Sequence, residues 1–270
     1  MVAPLISFVA PLFVPGSRSD RFHKAEASGA DAIILDLEDA VAEDGKDAAR
    51  DAVLAFLPKA TCPVIVRVNG QGTPWHEADV EALARCRPTA LMLPKAESAA
   101  SVMAVCKRLG APVPIIALIE TAKGLAHISE IAGAPNVAIL AFGSVDFSLD
   151  IGCSHEQLPL LSARSEIVWR SRAAGLAAPL DGVTVNLDDA NMLDADATHA
   201  AALGFGGKLA IHPKQIAPIR NAFLPSEQTI EWAREVLAAA SSGNAVRVHG
   251  EMVDRPVVER ARRILSFAEG

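Results

Sequence analysis

IIALIETAKGLAHISEIAGAPNVAILAFGSVD, residues 115–146, decides the fold. Two apolar runs, Ile115–Ile119 and Val137–Phe142, each lead to an acidic residue: Glu120 after the first and Asp146 after the second. A short apolar run closed by a turn reads as a strand buried on both faces, as in a parallel sheet. One short helical segment lies between the runs, so the stretch reads as a single βαβ unit. Consecutive strands of a parallel sheet point the same way. Glu120 and Asp146 are therefore expected at one edge, where barrels and open α/β sheets keep their chemistry. Two carboxylates converging there suit a divalent cation whose other positions go to water or substrate. An acid at a strand end can instead cap the next helix. Thr121 is placed to cap a helix starting near Ala122, which frees Glu120 from that task.

The alternation continues outward from this unit. Strand-like runs precede it at residues 5–14, 32–37, 64–68 and 90–93, and follow it at 180–185 and 208–211. Helical patterns lie between, at 20–28, 45–57, from Pro74-Trp75, and at 98–109, 156–174 and 192–203. Gly29, Pro58, Gly110, Gly175 and Gly204 stop them. Eight strand signals alternating with helical ones predict an α/β fold, a closed (β/α)8 TIM barrel over residues 1–224. Residues 225–270 read as a C-terminal helical extension. It has a helix at 226–240 with Ser226 as N-cap, a Ser241-Ser242-Gly243-Asn244 link, a mixed segment at 245–254 and a helix at 256–267. That last helix carries an apolar stripe of Val257, Val258, Ala261, Ile264 and Leu265 that has to be covered. A neighbouring subunit is one cover. Packing on its own barrel, with Asp254 as the N-cap, is the other.

The 270 residues are 51% hydrophobic but only 4% aromatic, with no Tyr, which suits short Ala- and Val-rich strands covered by helices. A net charge of −7 argues against a general nucleic-acid surface. Anionic substrates would then need local Arg and Lys. Cys62, Cys86, Cys106 and Cys153 form no CxxC pair and no zinc-type cluster, so free thiols in a reducing compartment are expected. No apolar run approaches the roughly 20 residues of a membrane span, and no signal-like segment opens the chain. The expectation is a cytoplasmic protein that meets neither membrane nor nucleic acid.

Strand exits collect Glu38, Asp39, Arg67, Lys95, Glu120, Asp146 and His212. Arg67 stands inside an apolar strand, and a charge is rarely buried unpaired. It reads either as a structural pair with Glu38 or Asp39, or as a planar guanidinium that grips a carboxylate or enolate oxygen. Lys95 reads as a Schiff-base nucleophile or, more simply, as a lysine at a strand exit. His212, held extended by Pro213, is a catalytic acid or a packed rim residue. The Gly-rich run 203–208 precedes a strand, which is the wrong order for a nucleotide loop. Pro15-Gly16-Ser17-Arg18, just before a helix, is better placed to hold a phosphate.

Eight motifs span nearly the whole chain in order: LFVPGSRSDRFHKA (12–25), DAIILDLEDAV (31–41), VRVNG (66–70), LPKAES (93–98), ALIETAKG (117–124), AFGSVDFSLDIG (141–152), LGFGGKLAIHPKQI (203–216) and GEMVDRP (250–256). Together they resemble the citrate lyase beta-subunit family of acyl-coenzyme A lyases, within the metal-dependent aldolases that include malyl-coenzyme A lyases. The resemblance implies a barrel with Mg2+ on Glu120 and Asp146, and Arg67 at the enolate oxygen of the acyl thioester. It implies Glu38 and Asp39 in support of the metal waters and of Arg67. It also implies Asp254 as an acid–base residue entering a neighbouring subunit's site, hence a homo-oligomer, a trimer or hexamer. Arg18, Lys24 and Lys95 are the candidate coenzyme A contacts, with Ser19 standing where relatives commonly show Pro.

The expected activity is cleavage of a citramalyl-, malyl- or citryl-coenzyme A to acetyl-coenzyme A and an oxo acid. A malyl-coenzyme A thioesterase would direct water at the thioester instead. A non-catalytic acyl-thioester-binding subunit would not need the carboxylates and Arg67 together. An aldolase on free 2-oxo acids would act on unesterified substrates.

Overall fold

The computed structural model describes residues 6–240 and 247–268. The chain forms two compact units, Met1–Arg220 and Asn221–Gly270.

In the first unit eight parallel strands follow one another around the sheet in chain order. They are β1 (Leu12–Pro15), β2 (Ile33–Asp36), β3 (Val64–Arg67), β4 (Ala90–Leu93), β5 (Ile115–Ile119), β6 (Val137–Phe142), β7 (Leu180–Asp181) and β8 (Gly207–Lys208). Leu12 bridges Ala210 in parallel, and the Phe13 N–H donates to the Ala210 carbonyl at 2.8 Å, so the last strand region closes onto the first. This is the expected (β/α)8 barrel. The helices are α1 (Phe22–Glu26), α2 (Lys46–Phe56), α3 (His76–Cys86), α4 (Ala99–Leu109), α5 (Ala122–Ala126), α6 (Ile128–Ala132), α7 (Ser144–Ile151), α8 (Leu161–Ala173), α9 (Ala190–Leu203) and α10 (Ile216–Phe223).

Every residue of β2 to β6 is buried, which is why these segments read as apolar runs, with charges only at the ends of β2 and β3, Asp36 and Arg67. Alternate side chains, among them Ile34, Ile65, Met92, Ile116 and Ile139, meet Leu180 and Leu209 in one cluster that fills the barrel. Helix ends follow the sequence signals. The Ser98 and Thr121 hydroxyls accept backbone N–H groups to start α4 and α5. Gly110 and Gly204 end α4 and α9 in left-handed backbone, which glycine enters without a Cβ penalty.

Several extents differ from expectation, among them α8, which starts at Leu161 rather than at 156. The first strand was expected over 5–14 but runs over Leu12–Pro15, and Leu5 lies outside the described residues. The first helix, expected over 20–28, is a single 3-10 turn at Ser19–Arg21 followed by the five-residue α1. The seventh and eighth strands are two residues each. The Gly182 carbonyl beyond β7 is taken by the Lys208 ammonium at 2.5 Å, so a side chain holds the backbone there.

In the second unit α11 (Glu227–Ala240) starts at Ser226, whose hydroxyl accepts the Thr229 N–H. The mixed segment is a hairpin of β9 (Arg247–Val248) and β10 (Glu251–Met252). Its turn residues His249 and Gly250 both have positive φ, at 48° and 88°, as a tight hairpin turn requires. The link read at Ser241–Asn244 lies outside the described residues. Helix α12 (Arg255–Ala268) lays Val257, Val258, Ala261, Ile264 and Leu265 against a cluster holding Ala233 and Val236 of α11. The stripe thus finds cover within its own unit, and no longer argues by itself for a neighbour. No helix among the described residues is long and apolar enough to cross a membrane.

Candidate active site

β2 and β3 run in register, with Asp36 opposite Arg67. The alignment sets two opposite charges side by side at the exits of two apolar strands. The Arg67 Nε and Nη2 donate to Asp36 Oδ1 and Oδ2 at 2.7 and 2.8 Å, a two-pronged pair buried on both sides. Asp36 also accepts the N–H groups of Glu38 and Ala40. Burial opposes its charge, but the Arg67 hydrogen bonds and charge prevail, and its carboxyl lies below the usual range.

Arg67 spends two of its three nitrogens on Asp36 and keeps Nη1 for the loop beyond β2. There Glu38 Oε2 lies at 3.1 Å and Asp39 Oδ2 at 3.2 Å. Phe13 covers the guanidinium, its ring centre 5.0 Å away. The pairing with Glu38 and Asp39 expected from the sequence is present, but Asp36 is the principal partner. Lys46 of α2 is buried too, and its ammonium donates to the carbonyls of Leu37 and Glu38 at 2.8 and 2.7 Å. It fixes the backbone that carries Glu38.

Lys95 joins this group to Glu120. Its ammonium donates to Glu38 Oε1 at 2.6 Å, and its own N–H donates to Glu120 Oε1 at 2.7 Å. Glu120, just past β5, is 1% exposed, and its Oε2 has no hydrogen-bond partner. Burial first, then the charge of Glu38, push its carboxyl up to about 8. Gly143, after β6, packs against it: a Cβ at 143 would stand 2.5 Å from Glu120 Oε2. Gly143 leads directly into α7, whose first turn carries Asp146. Asp150 of the same helix accepts the Ala122 N–H at 2.7 Å, which ties α7 to the start of α5, two residues after Glu120. The Asp146 side chain has no hydrogen bond or ion pair among the described residues.

A divalent cation fits this arrangement. The Arg67 and Lys95 side chains pair with Asp36, Glu38 and Asp39, and among the described residues no side-chain cation pairs with Glu120. The orphaned, buried Glu120 Oε2 is the oxygen such an ion would satisfy. Among the described residues no group of three or more His, Cys, Asp or Glu could cage a metal. A magnesium-type ion does not need one, since it binds through one or two carboxylates and keeps its waters. Glycine at 143 is what leaves room for Oε2. Gly143→Ala is expected to displace the Glu120 carboxylate and weaken cation binding about 10- to 100-fold, as loss of an outer support commonly does. Metal titration of the folded variant checks this.

Around the barrel mouth lies a second buried group that the sequence did not reveal. The Lys208 ammonium and the Arg164 Nε donate to the two oxygens of Asp181 at 3.1 and 2.9 Å. Ser144, the first residue of α7, pairs its hydroxyl with His155 Nε2 at 2.8 Å. A charged residue inside an apolar run, as in GGKLAI, was the available signal for Lys208. His212 is a local cap: its Nδ1 accepts the Lys214 N–H, and Gln215 returns the bond to the His212 N–H. That matches the rim reading.

The remaining candidates are Arg18, Lys24 and Asp254. Arg18 is exposed and holds Asp20 at 2.8 Å, and Lys24 is exposed on α1. Asp254 is exposed, and its Oδ1 accepts the Val257 N–H at 3.1 Å, so it caps α12. Asp254→Ala should therefore cost about 1 kcal/mol of stability, while Asp254→Asn, an equal cap, should cost almost nothing. Thermal unfolding of both variants checks this.

The HpcH/HpaI aldolase/citrate lyase family profile matches residues 10–213. A citrate lyase subunit beta-like protein of Mycobacterium tuberculosis is 41% identical over 95% of this chain and 94% of its own. A (3S)-malyl-CoA thioesterase of Cereibacter sphaeroides is 35% identical over 97% of this chain and 95% of its own. The crystal structure of protein CitE from Mycobacterium tuberculosis in complex with magnesium, acetoacetate and coenzyme A superposes with a TM-score of 0.86 at 39% identity. That likeness covers 98% of this chain and 99% of the other.

Proposed function

This chain belongs to the HpcH/HpaI aldolase/citrate lyase family, and from that premise we propose that it is a Mg2+-dependent carbon–carbon lyase. Its substrate would be a 3-hydroxyacyl-coenzyme A of the citramalyl, malyl or citryl type, and its products acetyl-coenzyme A and an oxo acid. The observation that carries the reading is the pairing, at one barrel mouth, of a guanidinium locked on Asp36 with the unpartnered oxygen of Glu120. The magnesium in the related CitE structure supports the choice of ion.

Glu120 and Asp146 would hold the ion. When bound it would supply Lewis acidity and a fixed seat for the substrate's hydroxyl and carboxylate. Arg67 meets the negative charge that grows on the thioester oxygen as the carbon–carbon bond breaks. Its fork is preorganised by Asp36, so little reorganisation is needed at that moment. Glu38 and Asp39 keep Nη1 directed toward the loop beyond β2. Asp254 of a second copy, as a carboxylate, would take the substrate hydroxyl proton as the carbon–carbon bond breaks and then give it to the acetyl carbon, which makes the protein a homo-oligomer, a trimer or hexamer. Arg18 and Lys24, exposed cations, are offered to the coenzyme A phosphates.

A thioesterase is the second reading, favoured by the Cereibacter sphaeroides relative. It would use the same ion-binding carboxylates but direct water at the thioester. Product analysis on a panel of hydroxyacyl-coenzyme A thioesters separates the two. Acetyl-coenzyme A with pyruvate, glyoxylate or oxaloacetate supports the lyase. Free coenzyme A with the hydroxy acid intact overturns it.

A further inference from the structure

Among the described residues, four other than glycine have positive φ: Arg87, Lys95, Asn136 and His249. Three have local reasons. Arg87 ends α3, Asn136 turns into β6, and His249 makes the hairpin turn. Lys95, at φ +47°, is the exception. It follows β4 and Pro94, and it alone of the four donates its N–H to a side-chain carboxylate, that of Glu120. A lysine gains nothing intrinsic from left-handed backbone, where its Cβ crowds the following carbonyl. Such conformations persist where the surroundings over-determine them, and they gather at functional sites.

We infer that the left-handed backbone at position 95 orients Glu120, which makes Lys95 a positioning residue for the cation site. The inference rests on the cation reading proposed above. Two features fix the Glu120 carboxylate. The Lys95 N–H occupies Oε1 at 2.7 Å. Gly143, the residue before the helix that carries Asp146 in its first turn, leaves room for Oε2. Glu120 is thereby presented as a one-oxygen ligand through Oε2. The Lys95 ammonium has a different task, on Glu38 at 2.6 Å. One residue thus serves two carboxylates, through its backbone for one and its side chain for the other, and substitutions can separate the two.

Lys95→Gly, Lys95→Asn and Lys95→Val all delete the ammonium. Glycine and asparagine enter left-handed backbone readily, and a β-branched valine does not. Isothermal calorimetry of the metal-free full-length protein with MgCl2 gives each dissociation constant, and unfolding in EDTA reports the fold. The Gly and Asn variants are expected within about threefold of each other. The Val variant should bind about tenfold or more weakly than Gly, since outer supports of a metal ligand commonly carry 10- to 100-fold. A purely structural role would shift unfolding in EDTA without separating Val from Gly in Mg2+ affinity. Equal affinities for Gly and Val overturn the inference. If the Val variant does not fold, Lys95→Ala replaces it and must bind at least about threefold more weakly than Gly. Wild-type protein that takes up no Mg2+, or Glu120→Ala that binds as tightly as wild type, removes the cation site itself and the inference with it.

Discussion

Glu120→Ala and Asp146→Ala are each expected to lose all metal-dependent turnover while the barrel stays folded. A magnesium-type ion keeps few protein ligands, so deleting one carboxylate removes a large share of what the protein contributes. Folding should change little in chelator, because two effects oppose each other at Glu120. Its removal relieves a buried carboxylate raised to about 8 by burial and by Glu38. It also leaves the Lys95 N–H without its acceptor, a loss of about 1–3 kcal/mol. The difference appears when Mg2+ is added. Wild-type protein at about 100 times its dissociation constant should gain about 2.7 kcal/mol of stability. The variants should gain none. Full activity of either variant in chelator-treated buffer would refute the metal assignment.

Arg67→Lys is expected to cut turnover about 100- to 1000-fold, the range for loss of one preorganised donor, with Mg2+ affinity nearly unchanged. Lysine keeps a charge beside Asp36 but cannot span both of its oxygens and still reach Glu38 and Asp39. The structural part of the role is measured separately with Asp36→Ala. That change takes the principal partner from a buried guanidinium, leaving it Glu38 and Asp39, and should cost about 3–5 kcal/mol of stability. A change in turnover under about threefold for Arg67→Lys, with the cost confined to stability, would mean that Arg67 only braces β2 against β3.

The strands were legible where burial on both faces wrote an unbroken apolar run, as in ALML and VAILAF. They were least legible at β7 and β8, where two-residue ladders give way to side chains that hold the backbone. Glu38, Arg67, Lys95 and Glu120 were found as strand-exit charges, and the structure joins them in one chain of contacts. Asp36 escaped notice because its partner is set by the register of β2 on β3, which one strand's sequence does not contain. Lys46 escaped because its acceptors are backbone carbonyls, which leave no mark in a sequence. The α12 stripe was read correctly as apolar, but which surface covers it was not readable, and that surface is α11.

The most direct test of the cation site is an anomalous difference map from crystals of the full chain soaked in MnCl2. The expected result is one peak within roughly 2–2.5 Å of Glu120 Oε2 and of an Asp146 carboxylate oxygen, absent from Glu120→Ala crystals soaked alike. A peak elsewhere, or none at this pair in protein that turns over with Mn2+, would contradict it.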